Sequence, residues 1–323
     1  MRPRPPGEPR PALHHRPARQ AARRAPGYVP GPGSARRRGD GLGGSGRPGG
    51  DGVSDAAARP WYERAFGAAY PVVYAHRDEA EARTALDLCE RLLDGVPPGP
   101  WLDLGCGQGR HLKALAERGR DVVGLDLSPE LLRLARDESP SSRLIRADMC
   151  RLPLRPASMS AVLSLFTAFG YFEEEAAHRG VVQGIARSLR PGGAWLLDYL
   201  DADRVADELA AGDRVRERRS GPLVVLERRR LVAAPRRVVK EVRLEPAAGA
   251  VQAAAALGVP PAGLEYDETV ALFTLDELDA LAGSAGLERV AGVGSYAGAP
   301  LRSGESDRWI LVFARPSPRK DGP

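Results

Sequence analysis

Trp101-Leu-Asp-Leu-Gly-Cys-Gly-Gln-Gly-Arg110 decides the fold of this 323-residue chain. A short apolar run enters three glycines at alternate positions, and a helical pattern begins near His111. Gly105, Gly107 and Gly109 allow a tight turn with positive φ and let a ligand lie directly against the main chain. Asp103 falls inside the strand end, where a buried carboxylate is costly without a partner, so a cationic or hydrogen-bond-donating ligand is implied. The next apolar run, Asp121-Val-Val-Gly-Leu-Asp-Leu-Ser128, ends in Asp126, 21 residues after Gly105. In a doubly wound sheet, a carboxylate at that strand tip reaches the hydroxyls of a ribose held over the first glycine loop.

Nicotinamide enzymes and S-adenosylmethionine (SAM) enzymes share that arrangement and differ in the loop. The dinucleotide fingerprint is Gly-x-Gly-x-x-Gly, whereas this chain has Gly-x-Gly-x-Gly behind an acidic residue. In this it resembles the class I SAM-dependent methyltransferases. The resemblance continues in Arg146-Ala-Asp-Met149, similar to the family's adenine-holding motif after the third strand. It continues again in Ala161-Val-Leu-Ser-Leu-Phe-Thr-Ala-Phe-Gly-Tyr-Phe172 and in Leu189-Arg-Pro-Gly-Gly-Ala-Trp-Leu-Leu-Asp198. It implies an α/β fold: a Rossmann-like, doubly wound, seven-stranded sheet with an antiparallel β insertion after the fifth strand. It also implies S-adenosyl-L-methionine as cofactor. The cofactor residues it implies are Asp103, Gly105, Cys106, Gly107, Gly109, Asp126, Leu127, Asp148, Met149, Leu165 and Phe166, with Tyr62 and Tyr70 from a lid.

The body of the chain supports that reading independently. From Pro100 to Trp195 strand and helix patterns alternate in short units, as in a parallel sheet covered on both faces. Ser128-Pro129-Glu130 is a strong helix start, with Ser as cap and Pro in the first turn. The strand ends bring Asp103, Asp126, Asp148, the 165–172 loop and Asp198 to one rim, where open α/β sheets bind ligands. Thr274-Leu-Asp-Glu277 is a capping box opening a helix to about Ala285, and residues 287–296 and 309–314 read as the last two strands.

Upstream, Trp61, Tyr62, Phe66, Tyr70 and Tyr74 form an aromatic stripe, followed by a helix to about Asp94. Such a stripe is ordinarily core packing; in the resembled family the N-terminal helices close over SAM, which would put Tyr62, Tyr70 and Tyr74 on the cavity, with Pro71 kinking the lid. Between residues 212 and 272, strand-like runs at 215–219, 223–232 and 237–244, completed by 268–273, read as the insertion. Its Arg216, Arg218, Arg219, Arg228, Arg229 and Arg230 suit either an anionic substrate or cross-strand pairs with Glu217, Glu227, Glu241 and Glu245, the better reading. Residues 247–258 are Ala-rich and read as a mobile loop. His178 reads as a surface residue on a helix.

Residues 1–58 are a separate tail, 59–315 the methyltransferase domain and 316–323 a polar end. Of residues 1–52, 39 are Gly, Pro, Arg or Ala, a composition that cannot offset its ordering entropy and predicts disorder. Residues 1–60 carry a net charge of +8, which leaves −3 on the rest of a chain whose total is +5. The GC-type residues and the Gly-Gly-Asp-Gly52 run before Val53 suggest that translation begins at Val53, a point intact mass decides. No apolar run approaches the ~20 residues of a membrane span. Three cysteines without metal-ligand spacing fit a reducing cytoplasm and no metal site.

Methyl transfer demands an in-line arrangement of nucleophile, methyl carbon and sulfur, so positioning does most of the chemistry. No side chain declares itself as general base; His76, Tyr171, Asp198 and Tyr199 are the candidates near the rim. The loop lacks the Asn-Pro-Pro-Tyr type of sequence used on DNA, rRNA and protein glutamine. That absence, the negative body and the lidded site favour a small-molecule N- or O-acceptor over nucleic acid. A macromolecular acceptor is the second reading, and a non-catalytic SAM-binding or nicotinamide protein the third. In relatives of this type the insertion either makes a homodimer contact or caps the pocket.

Overall fold

The computed structural model describes residues 60–317; the predicted N-terminal tail and the Val53 start lie outside them. Two sheets organise the chain. The larger has seven strands: β1 (Trp101–Leu104), β2 (Val122–Asp126), β3 (Arg143–Arg146), β4 (Met159–Ser164), β5 (Leu189–Tyr199), β10 (Glu288–Val293) and β11 (Trp309–Ala314), in the order β10-β11-β5-β4-β1-β2-β3. Strands β1 to β5 pair in parallel, and β11 lies antiparallel between β5 and β10. The order reverses between β1 and β4, so the carboxyl ends of those strands frame the crevice in which such sheets bind ligands.

Strand alternation divides the core. Leu102, Leu104, Val162, Trp195 and Leu197 pack on one face against α6 (Glu175–Ser188) and α9 (Leu275–Ser284). Trp101, Ala161, Leu163 and Leu196 pack on the other against α3 (Glu79–Leu92) and α4 (Arg110–Glu117). Each fully buried leucine is worth ~2 kcal/mol. The expected helix starts form as the residue chemistry dictates. Ser128 accepts from Leu131 N at 3.2 Å to open α5 (Pro129–Glu138), and Thr274 and Glu277 complete the capping box of α9.

The insertion is the four-stranded sheet β6 (Arg214–Ser220), β7 (Leu223–Ala233), β8 (Arg236–Pro246) and β9 (Leu264–Ala271), antiparallel in that order. Leu223, Val225, Val242, Leu244 and Tyr266 share one face and pack against Ala65, Ala69 and Val73 of the lid. The lid is two short helices, α1 (Trp61–Ala65) and α2 (Tyr70–Val73), and Pro71 sits in the first turn of the second instead of kinking a single helix. A helix, α7 (Ala202–Ala210), leads from β5 into the insertion.

Two further expectations change. The Ala-rich segment predicted as a loop forms α8 (Val251–Ala256), because alanine is the best helix former and Ala254 finds a fully buried seat against the insertion. His178 is buried, not on the surface: its face of α6 meets Phe169, Phe172 and Phe273. Among the described residues no helix is long and apolar enough to cross a membrane, and no group of three or more potential metal ligands occurs.

Candidate active site

A cavity of about 310 Å³ opens where the carboxyl ends of β1, β2 and β4 meet the lid. Its floor is the glycine loop. Gly105, Gly107 and Gly109 all have positive φ, which glycine adopts without steric cost, and backbone rather than side chain faces the space. Of the residues the sequence singled out for the cofactor, Asp103, Gly105, Cys106, Gly107, Asp126, Leu127, Asp148, Met149, Leu165, Phe166, Tyr62 and Tyr70 line it. Gly109 does not; it caps α4 from a left-handed conformation, and a Cβ there would lie 2.8 Å from the Cβ of Ala135. Close approach of α4 and α5 is what that glycine provides.

The three carboxylates are held differently. Asp126 Oδ2 accepts the Gly107 N–H at 2.8 Å and Oδ1 the Ser128 N–H at 2.9 Å, which fixes both oxygens at the edge of the floor. Asp148 accepts from Cys150 N at 2.8 Å, capping a single 3₁₀ turn. Asp103 is 1% exposed and its Oδ2 has no hydrogen-bond partner. Burial raises its pKa to about 7, partly opposed by the Arg110 cation. His111 Nδ1 lies 3.9 Å away, too far for a hydrogen bond, and burial, Arg110 and Arg77 keep that imidazole neutral. An orphaned buried carboxylate oxygen is the signature of a site built for a donor that the protein does not itself supply.

The wall opposite the floor is aromatic. Tyr62, Phe66, Tyr70, Tyr74, Tyr171 and Phe172 line it, so the N-terminal stripe is cavity wall as well as packing. Two arginines that motif reading missed complete the lining. Arg110 pairs with Glu81 at 2.7 Å and stands 4.1 Å over the Phe166 ring. Arg77 donates to the Tyr70 hydroxyl at 3.2 Å, stacks 4.6 Å from the Tyr74 ring centroid and has no carboxylate partner among the described residues. The only hint of Arg77 in the sequence is its position just after the aromatic stripe.

Phe166 and Thr167 adopt φ of 53° and 63°, an uncommon conformation for residues carrying a Cβ. Asp198 imposes it. This side chain is fully buried; its Oδ2 accepts the Phe166 N–H at 2.6 Å and the Tyr296 hydroxyl at 2.5 Å, and its Oδ1 accepts from Arg308 Nε. Arg308 also donates to Thr167 Oγ1 at 2.6 Å. The Phe166 ring is thereby set against the cavity, stacked with His111 and Tyr296.

These contacts reassign the base candidates. Asp198 does not line the cavity, and both of its oxygens are engaged by structural partners. Tyr199 is fully buried, donates its hydroxyl to Ala271 O and is likewise absent from the lining, as is the exposed His76. Tyr171 alone of the four lines the cavity, and burial raises its pKa, so its phenol stays protonated.

Comparison with known proteins fits this geometry. A methyltransferase-domain family profile matches residues 102–193. The cypemycin N-terminal methyltransferase of a Streptomyces species is 31% identical over 219 residues, which span 66% of this chain and 82% of that protein. The chain belongs to the class I SAM-dependent methyltransferases. A Streptomyces venezuelae dTDP-3-amino-3,4,6-trideoxy-alpha-D-glucopyranose N,N-dimethyltransferase is 30% identical over 157 residues, 48% of this chain and 66% of that enzyme. Several curated relatives are matched over only 58% to 66% of their own length. Among solved structures, the SAM-bound amino pentose methyltransferase CalS10 of Micromonospora echinaspora aligns with a TM-score of 0.54 and 26% identity, over 76% of this chain and 96% of that one.

The cofactor of such a methyltransferase is S-adenosylmethionine, and the residues here fit it. The unpartnered Asp103 oxygen suits an ammonium, the unpaired Arg77 a carboxylate, and the fixed Asp126 oxygens a pair of hydroxyls. The methionine end carries the first two groups and the ribose the third.

Proposed function

We propose that this methyltransferase moves the methyl group of SAM to an amino nitrogen of a small molecule, in the cytoplasm. The observation that carries the reading is the aromatic wall set across from the carboxylate floor. Faces of Tyr62, Phe66, Tyr171 and Phe172 stabilise the cationic product that N-methylation makes, each such contact being worth ~0.5–2 kcal/mol. SAM supplies the electrophilic methyl when bound. The chain's own residues then orient and exclude water: Asp103, Asp126 and Arg77 fix the methyl donor, Phe166 supports it from below, and the lid rings confine the nucleophile to an in-line approach.

Of the base candidates only Tyr171 reaches the aromatic end, and burial holds its phenol protonated. A neutral amine needs none for the displacement itself, whereas a hydroxyl acceptor gains about 10² to 10⁴-fold from one. That asymmetry favours nitrogen over oxygen. The names of the three relatives above support it, since each specifies an amine: an amino sugar, an amino pentose or a peptide N-terminus. The three thiols, Cys89, Cys106 and Cys150, are free, which suits a reducing compartment.

The test is turnover of labelled SAM against panels of amino sugars, peptide N-termini, alcohols and carboxylic acids, with the methylated atom located by mass spectrometry. Methyl on amine nitrogen is the expected result. Label appearing only on oxygen, or no binding of S-adenosylhomocysteine (SAH), would overturn the assignment.

A further inference from the structure

The arginines of the insertion are engaged in different ways. Arg218 pairs with Glu227 at 3.3 Å, Arg228 with Asp213 at 2.6 Å and Arg230 with Glu241 at 2.9 Å, each arginine at least partly open to solvent. Arg237 alone among the insertion's arginines is buried, and it makes no ion pair among the described residues. Taking a guanidinium out of water without a carboxylate is costly. What it holds instead is backbone: Nη2 donates to Phe172 O at 2.8 Å and to Glu173 O at 2.7 Å, in the loop that follows β4.

Two further contacts grip the same stretch. Register sets Arg237 opposite Ala271 of β9, and the Ala271 N–H donates to Gly170 O at 2.8 Å. From α6, His178 Nε2 accepts the Phe172 N–H at 3.4 Å, a longer and weaker contact. It needs a neutral imidazole, and burial pushes the His178 pKa down to about 4, with the Arg237 cation adding to the shift. Gly170, at a φ of 102°, has no room for a side chain, since a Cβ would stand 2.7 Å from the Tyr199 hydroxyl. The backbone is thus tied on both sides of Tyr171.

Tyr171 and Phe172 are the two rings of the aromatic wall that the lid and its flank do not supply. Tyr171 stands edge-on to Trp61 at 5.0 Å and tilted against Phe66 at 5.7 Å, and Phe172 meets Tyr62 edge-on at 6.1 Å. The lid rings therefore close on a pair whose place is set from behind, by the insertion and α6.

We propose that Arg237 and His178 are positioning residues, which hold the 170–173 backbone so that the Tyr171 and Phe172 rings meet the lid and shape the acceptor end of the cavity. This rests on the methyl-transfer reading and adds to it a structural task for the insertion beyond covering the pocket. Neither residue lines the cavity, so both act through the two rings and touch no reacting atom. The glycine loop, Asp103 and Asp126 belong to β1, β2 and the turn after β1, and none of the contacts just described reaches them. Acceptor-side and cofactor-side binding should therefore separate when Arg237 is changed.

Hydrogen exchange by mass spectrometry and calorimetry on the full chain test this, with SAH as the cofactor-side probe and tetramethylammonium as the acceptor-side probe, added to the SAH complex. In Arg237→Met, exchange of the 170–173 amides should rise at least about tenfold and tetramethylammonium affinity should fall at least about fivefold, with SAH affinity within about twofold of wild type. Arg236→Met, which removes the neighbouring arginine and its ion pair with Asp203, should leave all three near wild type. If Arg237→Met does not fold, His178→Phe, which keeps a ring among the phenylalanines and removes the acceptor of the Phe172 N–H, carries the same expectations. Unchanged 170–173 exchange, a loss of SAH affinity as large as that of tetramethylammonium, or equal effects in Arg236→Met would each overturn the proposal. Failure of wild type to bind tetramethylammonium would count against the amine reading alone, because the exchange comparison does not depend on what fills the cavity.

Discussion

Replacing Asp198 by asparagine keeps the shape of the side chain and removes its charge. Arg308 loses its ion-pair partner while only 24% of its side chain is exposed. Removing one member of a buried pair costs about 3–5 kcal/mol, and the remaining exposure of Arg308 places this case near about 3 kcal/mol. An asparagine also presents one acceptor oxygen where both carboxylate oxygens accept, so its NH2 group faces either Arg308 Nε or the Phe166 N–H and leaves that donor unpaired. The left-handed Phe166-Thr167 turn, held at a cost of about 1–3 kcal/mol per strained residue, is then free to relax and carry the Phe166 ring off the cavity. Urea unfolding should show the midpoint falling with unchanged slope. A thermal scan should show a drop of roughly 6–12 °C for about 3 kcal/mol in a domain of this size. SAH affinity should weaken in the folded variant. The reasoning is refuted if Asp198→Asn is as stable as wild type and has lost only kcat, because that is the behaviour of a catalytic base. A double-mutant cycle with Arg308→Gln should return a coupling energy of at least about 1 kcal/mol.

Asp126→Ala removes an acceptor fixed by two backbone amides, and two hydrogen bonds to an ionised group are worth about 3 kcal/mol together. SAH binding by calorimetry should fall more than about a hundredfold, and a loss under fivefold would remove Asp126 from the site. Burial raises the folded pKa of Asp103 to about 7, well above the ordinary carboxylate range. The ligand-free fold therefore holds its proton more tightly than the unfolded chain does and loses stability as pH rises from about 4 through about 7. Asp103→Asn should stabilise the ligand-free protein at pH 8 by a few kcal/mol and not at pH 4. The same change should abolish the rise in SAM affinity expected between pH 6 and 8 as the carboxylate ionises. An unchanged urea midpoint at pH 8 together with unchanged SAM affinity would contradict it. Gly109→Ala brings a Cβ to 2.8 Å from Ala135 at a φ of 85° and should cost about 1–3 kcal/mol in urea. Its ligand affinity should be nearly unaltered, since Gly109 lies outside the cavity lining.

Much of the floor was legible because its chemistry is local. A glycine turn, the carboxylate two residues before it and the carboxylate at the next strand tip are fixed by spacing along the chain, and the structure brings Asp103, Asp126 and Asp148 to one cavity. The wall was only half legible. Aromatic periodicity in Tyr62, Phe66 and Tyr70 signals a buried stripe without saying whether protein or ligand covers it, and a short helix offers too few turns to decide. Asp198 shows the limit most sharply. Its position at a strand end is that of a catalytic group, and only the arrival of Arg308 and Tyr296, about a hundred residues later, turns it into a support for Phe166.

By itself the sequence determined the alternating βα order, the helix caps, the glycine-loop conformation and the existence of a β insertion, because each depends on hydrophobic period, backbone freedom or side-chain-to-backbone hydrogen bonds within a few residues. Tertiary structure alone decided what depends on which distant groups meet. That includes the pairing of β5 with β11, which supplies the buried partner of Asp198. It includes the packing of α6, which buries His178 among phenylalanines. It includes the register of β8 against β9, which sets Arg237 beside Ala271 where both reach the backbone around Tyr171. A side chain's charge and size are written locally, but whether it is paired, desolvated or left open to a ligand is a property of the neighbours that folding brings to it.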